Sequence, residues 1–354
     1  MRPVAFLRLA GAALLAMPLL AAAVPRYTVT VLAGAGSLAW DINAAGQVVG
    51  EEGGNAWLYA DGLFTTLGSG AGRGINDSGQ IAGESGGNGF LYSGGAMTWI
   101  TGWGVTTVRG INNDGTVVGM AEYEDEEEGF VRHAYSYRDG VSTDLGTLYG
   151  IRSQANAVNN LGHIAGGTDI GGAPNWPLTP FLYRDGGMSD LGPFNGPWSE
   201  AMAVNDLDQV VGYAGYAPRG GELYPRGAFL WDAGTTYDLG ALTGSDYSYA
   251  NGINNLSQVV GWYGDGLATR AFLYENGSLL DLNTLIDPAS SWVVSDATAI
   301  NDLGQIVGTA CRAGACHAVR LDLVAAVPEP AAWSLLLGGG VMLGWRRRVR
   351  GRRA

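Results

Sequence analysis

Seven copies of one short pattern run along the chain, and they constrain the fold more than any other feature. The last copy reads Ile300-Asn301-Asp302-Leu303-Gly304-Gln305-Ile306-Val307-Gly308, and the others begin at Ile42, Ile75, Ile111, Val158, Val204 and Ile253. Each joins a short apolar approach, an Asn-centred turn and an apolar run closed by Gly, the pattern of a strand, a tight turn and a second strand. Asn suits the turn because its side chain can hydrogen-bond its own backbone two residues on, and Gly because it accepts positive φ. Asn43, Asn76, Asn112, Asn159, Asn205, Asn254 and Asn301 are separated by 33, 36, 47, 46, 49 and 47 residues. At that period one repeat is one supersecondary unit.

One unit shows what a repeat contains. A strand from Ala250 ends at Ile253, Asn254 to Ser257 make the turn, and Gln258 to Val260 form a second strand stopped by Gly261. Ala271 to Tyr274 form a third, and Glu275-Asn276-Gly277 turns it into a fourth, Ser278 to Leu282. Equivalent third strands are expected at Ala56 to Tyr59, Phe90 to Tyr92, His133 to Tyr137, Phe181 to Tyr183, Ala228 to Trp231 and His317 to Leu321. Fourth strands end in Asp-Leu-Gly at Asp144, Asp190 and Asp238. A third strand such as Ala228-Phe229-Leu230-Trp231 is apolar on both faces, so both faces must be covered. Four-stranded antiparallel sheets stacked around an axis meet that demand, which predicts an all-β, seven-bladed β-propeller over residues 24–323.

The two ends of this body complement each other. The seventh copy has no fourth strand, while Tyr27 to Leu32 precedes the first copy where every other copy is preceded by one. The amino-terminal strand is therefore expected to complete the last sheet and close the ring. An open solenoid is the alternative.

Charge and chemistry narrow the function. The chain has no lysine, and residues 24–323 hold 12 arginines against 32 acidic residues, a net charge near −20. Such a body repels nucleic acid. Asp144, Asp190, Asp238 and Asp281 recur at one point of the fourth strand, which favours a repeated structural contact over a catalytic pair. His133, His163 and His317 belong to different units without metal-ligand spacing. The turns at Asn76 and Asn112 lack the length and closing Glu of a calcium loop. Glu122 to Glu128 reads as a solvated acidic loop. No catalytic residue, metal site or cofactor is implied. Trp103, Trp176, Trp198, Trp262 and Trp292 fall between or beside strands, as stacking faces for sugars or proteins or as packing between sheets. Cys311 and Cys316, the only cysteines, are candidates for a local disulfide in an exported protein.

Export is written at the amino-terminal end. Residues 1–23 carry Arg2 and Arg8, an apolar run from Leu9 to Leu20, and Ala21-Ala22-Ala23, the layout of a secretory signal peptide. Residues 324–354 contain Val327-Pro328-Glu329-Pro330, then Ala331 to Trp345 without a charge, then Arg346, Arg347, Arg348, Arg350, Arg352 and Arg353. As a transmembrane helix the apolar stretch would span roughly 22 Å, short of a hydrocarbon core of about 30 Å. The arginines are expected to stay cytoplasmic.

Two resemblances extend this reading. From Trp40 to Leu321, the order of Asn-turn, His133-Ala134-Tyr135, Arg226-Gly227-Ala228-Phe229-Leu230-Trp231 or His317-Ala318-Val319, and Asp-Leu-Gly resembles the HAF repeat of bacterial extracellular proteins. The last 28 residues, from Val327 to the end, resemble the PEP-CTERM sorting signal of Gram-negative bacteria. That resemblance implies recognition by an exosortase in the inner membrane, cleavage near Pro328-Glu329-Pro330, and release toward the surface of cells that make extracellular polysaccharide. Extracellular polysaccharide or surface proteins are the implied partners, and a glycan-active enzyme is the alternative to a binding or structural module.

Overall fold

A computed structural model describes residues 27–101, 104–126, 129–171, 178–192, 198–215, 226–265 and 268–324. The expected signal peptide and the whole sorting tail lie outside these residues. Among the described residues no helix is long and apolar enough to cross a membrane.

Antiparallel sheets of four short strands, in chain order, make up the body. Leu38–Ile42, Val48–Glu52, Asn55–Ala60 and Leu63–Ser69 form one. The same order recurs in Ala71–Ile75 to Ala96–Trp99, in Val105–Ile111 to Val141–Asp144, and in Ser153–Val158 to Gly187–Asp190. Glu200–Val204 to Ser278–Asp281 holds two such sheets, joined by the single parallel bridge of Arg226 and Tyr247. Val293–Ile300, Ile306–Arg312 and Ala315–Leu323 form three strands of the last sheet, and Tyr27–Ala35 supplies the fourth. There Tyr27 lies opposite Leu323 and Val31 opposite Val319.

The closing Gly of each repeat has a steric reason. Gly50, Gly83, Gly166, Gly212 and Gly261 lie directly opposite Trp57, Phe90, Phe181, Phe229 and Phe272 of the third strand. All five rings are fully buried. A Cβ on Gly166 would collide with the carbonyl oxygen of Gln154 and stand 2.9 Å from the Phe181 ring. The small residue on the second strand thus lets the aromatic ring and the first strand share one space. Core clusters bridge neighbouring sheets: Val211, Ala228, Leu230 and Leu239 pack with Ala250, Val259 and Phe272. That is why the third strand is apolar on both faces.

First strands lie side by side around an axis, each next to the first strand of the following sheet and the last next to the first. Their turns are tied into a circle. Asn43 Nδ2 donates to the carbonyl oxygen of Asn76 at 3.0 Å, Asn76 to Asn112, Asn112 to Asn159, Asn159 to Asn205, Asn205 to Asn254, and Asn254 to Asn301. Asn301 donates back to Asn43 at 3.0 Å. The same side chain organises its own turn, since Asn43 Oδ1 accepts from the backbone N–H of Ala45 and Gln47. A second set of bonds uses the following residue. Asp77 Oδ1 accepts from the Ala44 N–H at 2.8 Å, and the pattern repeats through Asn113, Asn160, Asp206, Asn255 and Asp302. It has six links, because the Ala44 methyl group offers no acceptor for a seventh.

Every first strand also carries a bulge, between Ala39 and Asp41, Gly72 and Gly74, Val108 and Gly110, Ala155 and Ala157, Ala201 and Ala203, Ala250 and Gly252, and Ala297 and Ala299. Just after the bulge the strands come close: a Cβ on Gly74 would lie 3.2 Å from the Cα of Gly110. Six of the seven positions there are Gly or Ala, and the seventh is Asp41. Its carboxylate accepts from the Ile42 N–H at 2.8 Å and from Ile75 of the next sheet at 2.9 Å. Burial pushes the Asp41 carboxyl up from 3.8 to about 6, against the two backbone N–H groups that lower it.

Asn301→Ala leaves buried backbone groups of two turns without partners, and should lower the unfolding free energy by about 1–3 kcal/mol in urea titrations. Deletion of Tyr27–Ala35 leaves the edge of Ala315–Leu323 unpaired and should depress the melting temperature further; an unchanged transition would refute closure through that strand. For Asp41, the folded state holds the proton more tightly than the unfolded chain, so its contribution is full below about pH 4 and is lost as pH rises through about 6. Asp41→Asn should therefore gain stability relative to the parent between about pH 4 and pH 7, with the difference level above that range.

Candidate functional site

Tyrosine, tryptophan and arginine side chains from two neighbouring sheets converge at the ends of strands away from the Asn turns. Tyr213 and Trp262 each follow directly the Gly that closes a repeat, Val210-Val211-Gly212-Tyr213 and Val259-Val260-Gly261-Trp262. The ladder sets Tyr213 opposite Glu200 and Trp262 opposite Tyr249. Tyr249 then stacks on Trp262 with centroids 4.6 Å apart and planes 14° off parallel. On its other side it meets Tyr213, also at 4.6 Å. The Arg226 guanidinium lies over the Tyr213 ring at 5.1 Å and donates to the Tyr249 hydroxyl at 2.6 Å.

One carboxylate serves this group. Glu200 is 6% exposed and accepts from the Tyr213 hydroxyl at 2.7 Å, from Asn156 Nδ2 at 2.6 Å, and from Gln154. Burial, then the Glu200 charge and hydrogen bond, push the Tyr213 phenol far above its usual range, so it acts as a donor at all ordinary pH. Burial disfavours the Arg226 charge, but the Tyr249 hydroxyl and the neighbouring Tyr213 and Glu200 outweigh it, so that guanidinium stays charged. Among the described residues the arrangement offers ring faces, a fixed cation and hydroxyls around a single acid. That set suits recognition of polyhydroxylated or aromatic groups by stacking and hydrogen bonds.

The tryptophans singled out from the sequence do not form one cluster. Trp262 belongs to the stack. Trp292 directly precedes Val293–Ile300 of the last sheet, edge-on to His317 at 5.8 Å and beneath the Arg312 guanidinium at 4.3 Å. Trp198, half-buried with φ of 74°, precedes Ser199 and Glu200. Trp103 and Trp176 lie outside the described residues, as do Val327, Pro328, Glu329, Pro330 and the carboxyl-terminal arginines. Cys311 and Cys316 face each other across a hairpin and are joined as a disulfide.

The recurrent Asp residues have local work at the fourth-strand ends. Asp144 Oδ1 and Asp190 Oδ1 accept from the N–H of Gly146 and Gly192, both at 2.7 Å, and Asp281 Oδ1 from Asn283 at 2.8 Å. The adjacent Leu145, Leu191 and Leu239 N–H groups return to the third strand. Burial opposes ionisation of Asp144, yet its bonds to His133, Tyr123 and Gly146 outweigh burial and hold its carboxyl low. His163 Nδ1 lies 2.6 Å from Asp208, and His317 Nδ1 3.2 Å from the Ala33 carbonyl oxygen. The three histidines thus belong to three repeats with separate partners.

Tyr213, Tyr249, Arg226 and Glu200 escaped the sequence reading. The legible signal was a large aromatic residue directly after the repeat Gly in two consecutive copies. The pairing of Tyr213 with Tyr249 joins two repeats, and no local spacing reports it.

Among solved structures, the chain is similar to the β-propeller domain of the Trilobed protease from Pyrococcus furiosus, with a TM-score of 0.55 and 8% identity over 82% of this chain and 95% of that one. An acylaminoacyl peptidase from Pyrococcus horikoshii is similar at a TM-score of 0.49 and 11% identity, over 81% of this chain and 51% of that one. At 8% identity the likeness to the first of these concerns the fold, and the fold is a β-propeller. No protein-family model matches the chain, and no curated protein sequence matches it.

Tyr249→Phe keeps the stack and removes one hydrogen bond, and should cost about 1 kcal/mol in urea unfolding. Tyr249→Ala removes the middle ring and should cost about 3–5 kcal/mol. Equal losses for the two variants would mean that stacking contributes nothing.

Proposed function

We propose that this protein is an exported, non-catalytic binding module: a seven-bladed, ring-closed β-propeller of the cell surface or extracellular matrix that holds polysaccharide on the Tyr213–Tyr249–Trp262 stack. The seven turn asparagines, with the last donating to the first, support the blade count. The stack itself carries the binding reading. Among the described residues it presents rings, hydroxyls and a guanidinium with one acid, Glu200, whereas glycoside hydrolysis generally uses two carboxyl groups about 5–9.5 Å apart. On this reading residues 1–23 direct export. An exosortase then recognises Val327-Pro328-Glu329-Pro330, while the apolar stretch and arginine cluster hold the chain in the inner membrane until processing.

Glycan-array binding of the purified chain, paired with turnover assays on exopolysaccharide from its own host, tests this function. Binding without product is expected, with Trp262→Ala weakening it about tenfold or more, as loss of an aromatic stacking face would. Release of shortened or unsaturated product would replace the binding module by a glycan-active enzyme. Absence of any glycan binding would remove the polysaccharide assignment.

A further inference from the structure

The bulges on the first strands divide the inner ring into two arcs. In one arc three of the four bulged side chains latch onto the following sheet, and the fourth, Met202, has no donor to do so. Asn156 Nδ2 donates to the Ala201 carbonyl oxygen at 2.8 Å, Asn251 Nδ2 to Ala297 at 3.0 Å, and Thr298 Oγ1 to Ala39 at 2.9 Å. In the other arc the three consecutive bulged residues are Trp40, Arg73 and Arg109, and none makes that latch. Arg73 lies over the Trp40 ring at 4.4 Å, and its charge is met by Glu84 at 2.7 Å. Glu84 also accepts from the Val108 N–H at 3.3 Å. Asp41, beside Trp40, is engaged by two backbone N–H groups.

This second arc therefore has donors left over. Arg109 is exposed and, among the described residues, has no hydrogen bond or ion pair. Trp40 Nε1 is buried without an acceptor. A buried donor without a partner is uncommon and costs about 1–3 kcal/mol. An unmatched arginine is notable in a body of net charge near −20, where acceptors abound. One edge of the strand bearing Arg109 is bonded to Val117–Asp125, and neighbouring sheets cover its faces. Its exposed side chain accordingly reaches solvent on the axis side.

We infer that Trp40, Arg73 and Arg109 form a second site, on the propeller axis, for a carboxylate carried by an otherwise neutral saccharide; this rests on the polysaccharide reading above. The planar guanidinium of Arg109 matches the two oxygens of a carboxylate. The acidic body opposes the approach of a polyanion, so the favoured ligand carries a single charge.

Calorimetric titration of the full chain with an aldobiouronic acid, one neutral sugar linked to one glucuronic acid, tests the site against two controls: its methyl ester and the neutral disaccharide. The acid should bind about tenfold tighter than the ester, the scale of one charge-assisted contact. Arg109→Gln should erase that preference with the melting temperature unchanged, and Trp262→Ala should leave the preference in place. Equal binding of acid and ester, or an unaltered preference in Arg109→Gln, overturns this site; the stack then stands or falls on whether Trp262→Ala weakens the neutral disaccharide. Sodium acetate competing as well as the disaccharide acid would reject the saccharide and leave a small-anion site. No binding of any probe overturns both sites.

Discussion

The amide nitrogen of each turn asparagine meets a backbone carbonyl that belongs to the next repeat, and the shape of the body depends on that bond. Asn254 Oδ1 fixes its own turn by accepting from Leu256 and Gln258, while its Nδ2 reaches Asn301. One side chain thus sets a local conformation and the spacing between neighbours. Each such bond contributes about 1 kcal/mol net, and a buried amide deprived of it costs more. Because Asn301 returns to Asn43, no turn is left at an end where that cost would fall. The pairing of Tyr27–Ala35 with Ala315–Leu323 does the same for the strand edges.

The second requirement is space. A sheet that must be covered on both faces needs a ring on its third strand and almost nothing on its second, which Gly166 beneath Phe181 and Gly261 beneath Phe272 provide. The first strand then approaches closely enough that its own neighbour contacts it through Gly or Ala. Asp41 departs from this rule, and two backbone N–H groups hold its larger, charged side chain in place.

What the sequence made legible follows from the range of each interaction. The Asn turn, the apolar third strand and the Asp-Leu-Gly stop are local, so the repeat displayed them, and the absent fourth strand after His317–Leu321 pointed to Tyr27. The bulges left no mark, because an extra residue in a five- to eight-residue strand does not change its apolar pattern enough to read. The hydrogen bond from Asn112 to Asn159 spans 47 positions and needs the three-dimensional ring. The candidate site was read only through Trp262: its partners Tyr249, Tyr213 and Arg226 are placed by sheet register and by packing between repeats, which hydrophobic spacing within one repeat cannot report.

Repetition itself separates structure from recognition. A residue type present in every copy, such as the turn Asn, answers a demand that every copy has, and its removal disturbs the ring wherever it is made. Tyr213, Trp262 and Arg109 occupy positions that other copies fill with Glu51, Thr309 or Asn251, so the ring does not need them there. Such positions can change chemistry without changing the frame. The two places where they depart most from their counterparts are the aromatic stack and the arginine arc, the places proposed above for a ligand.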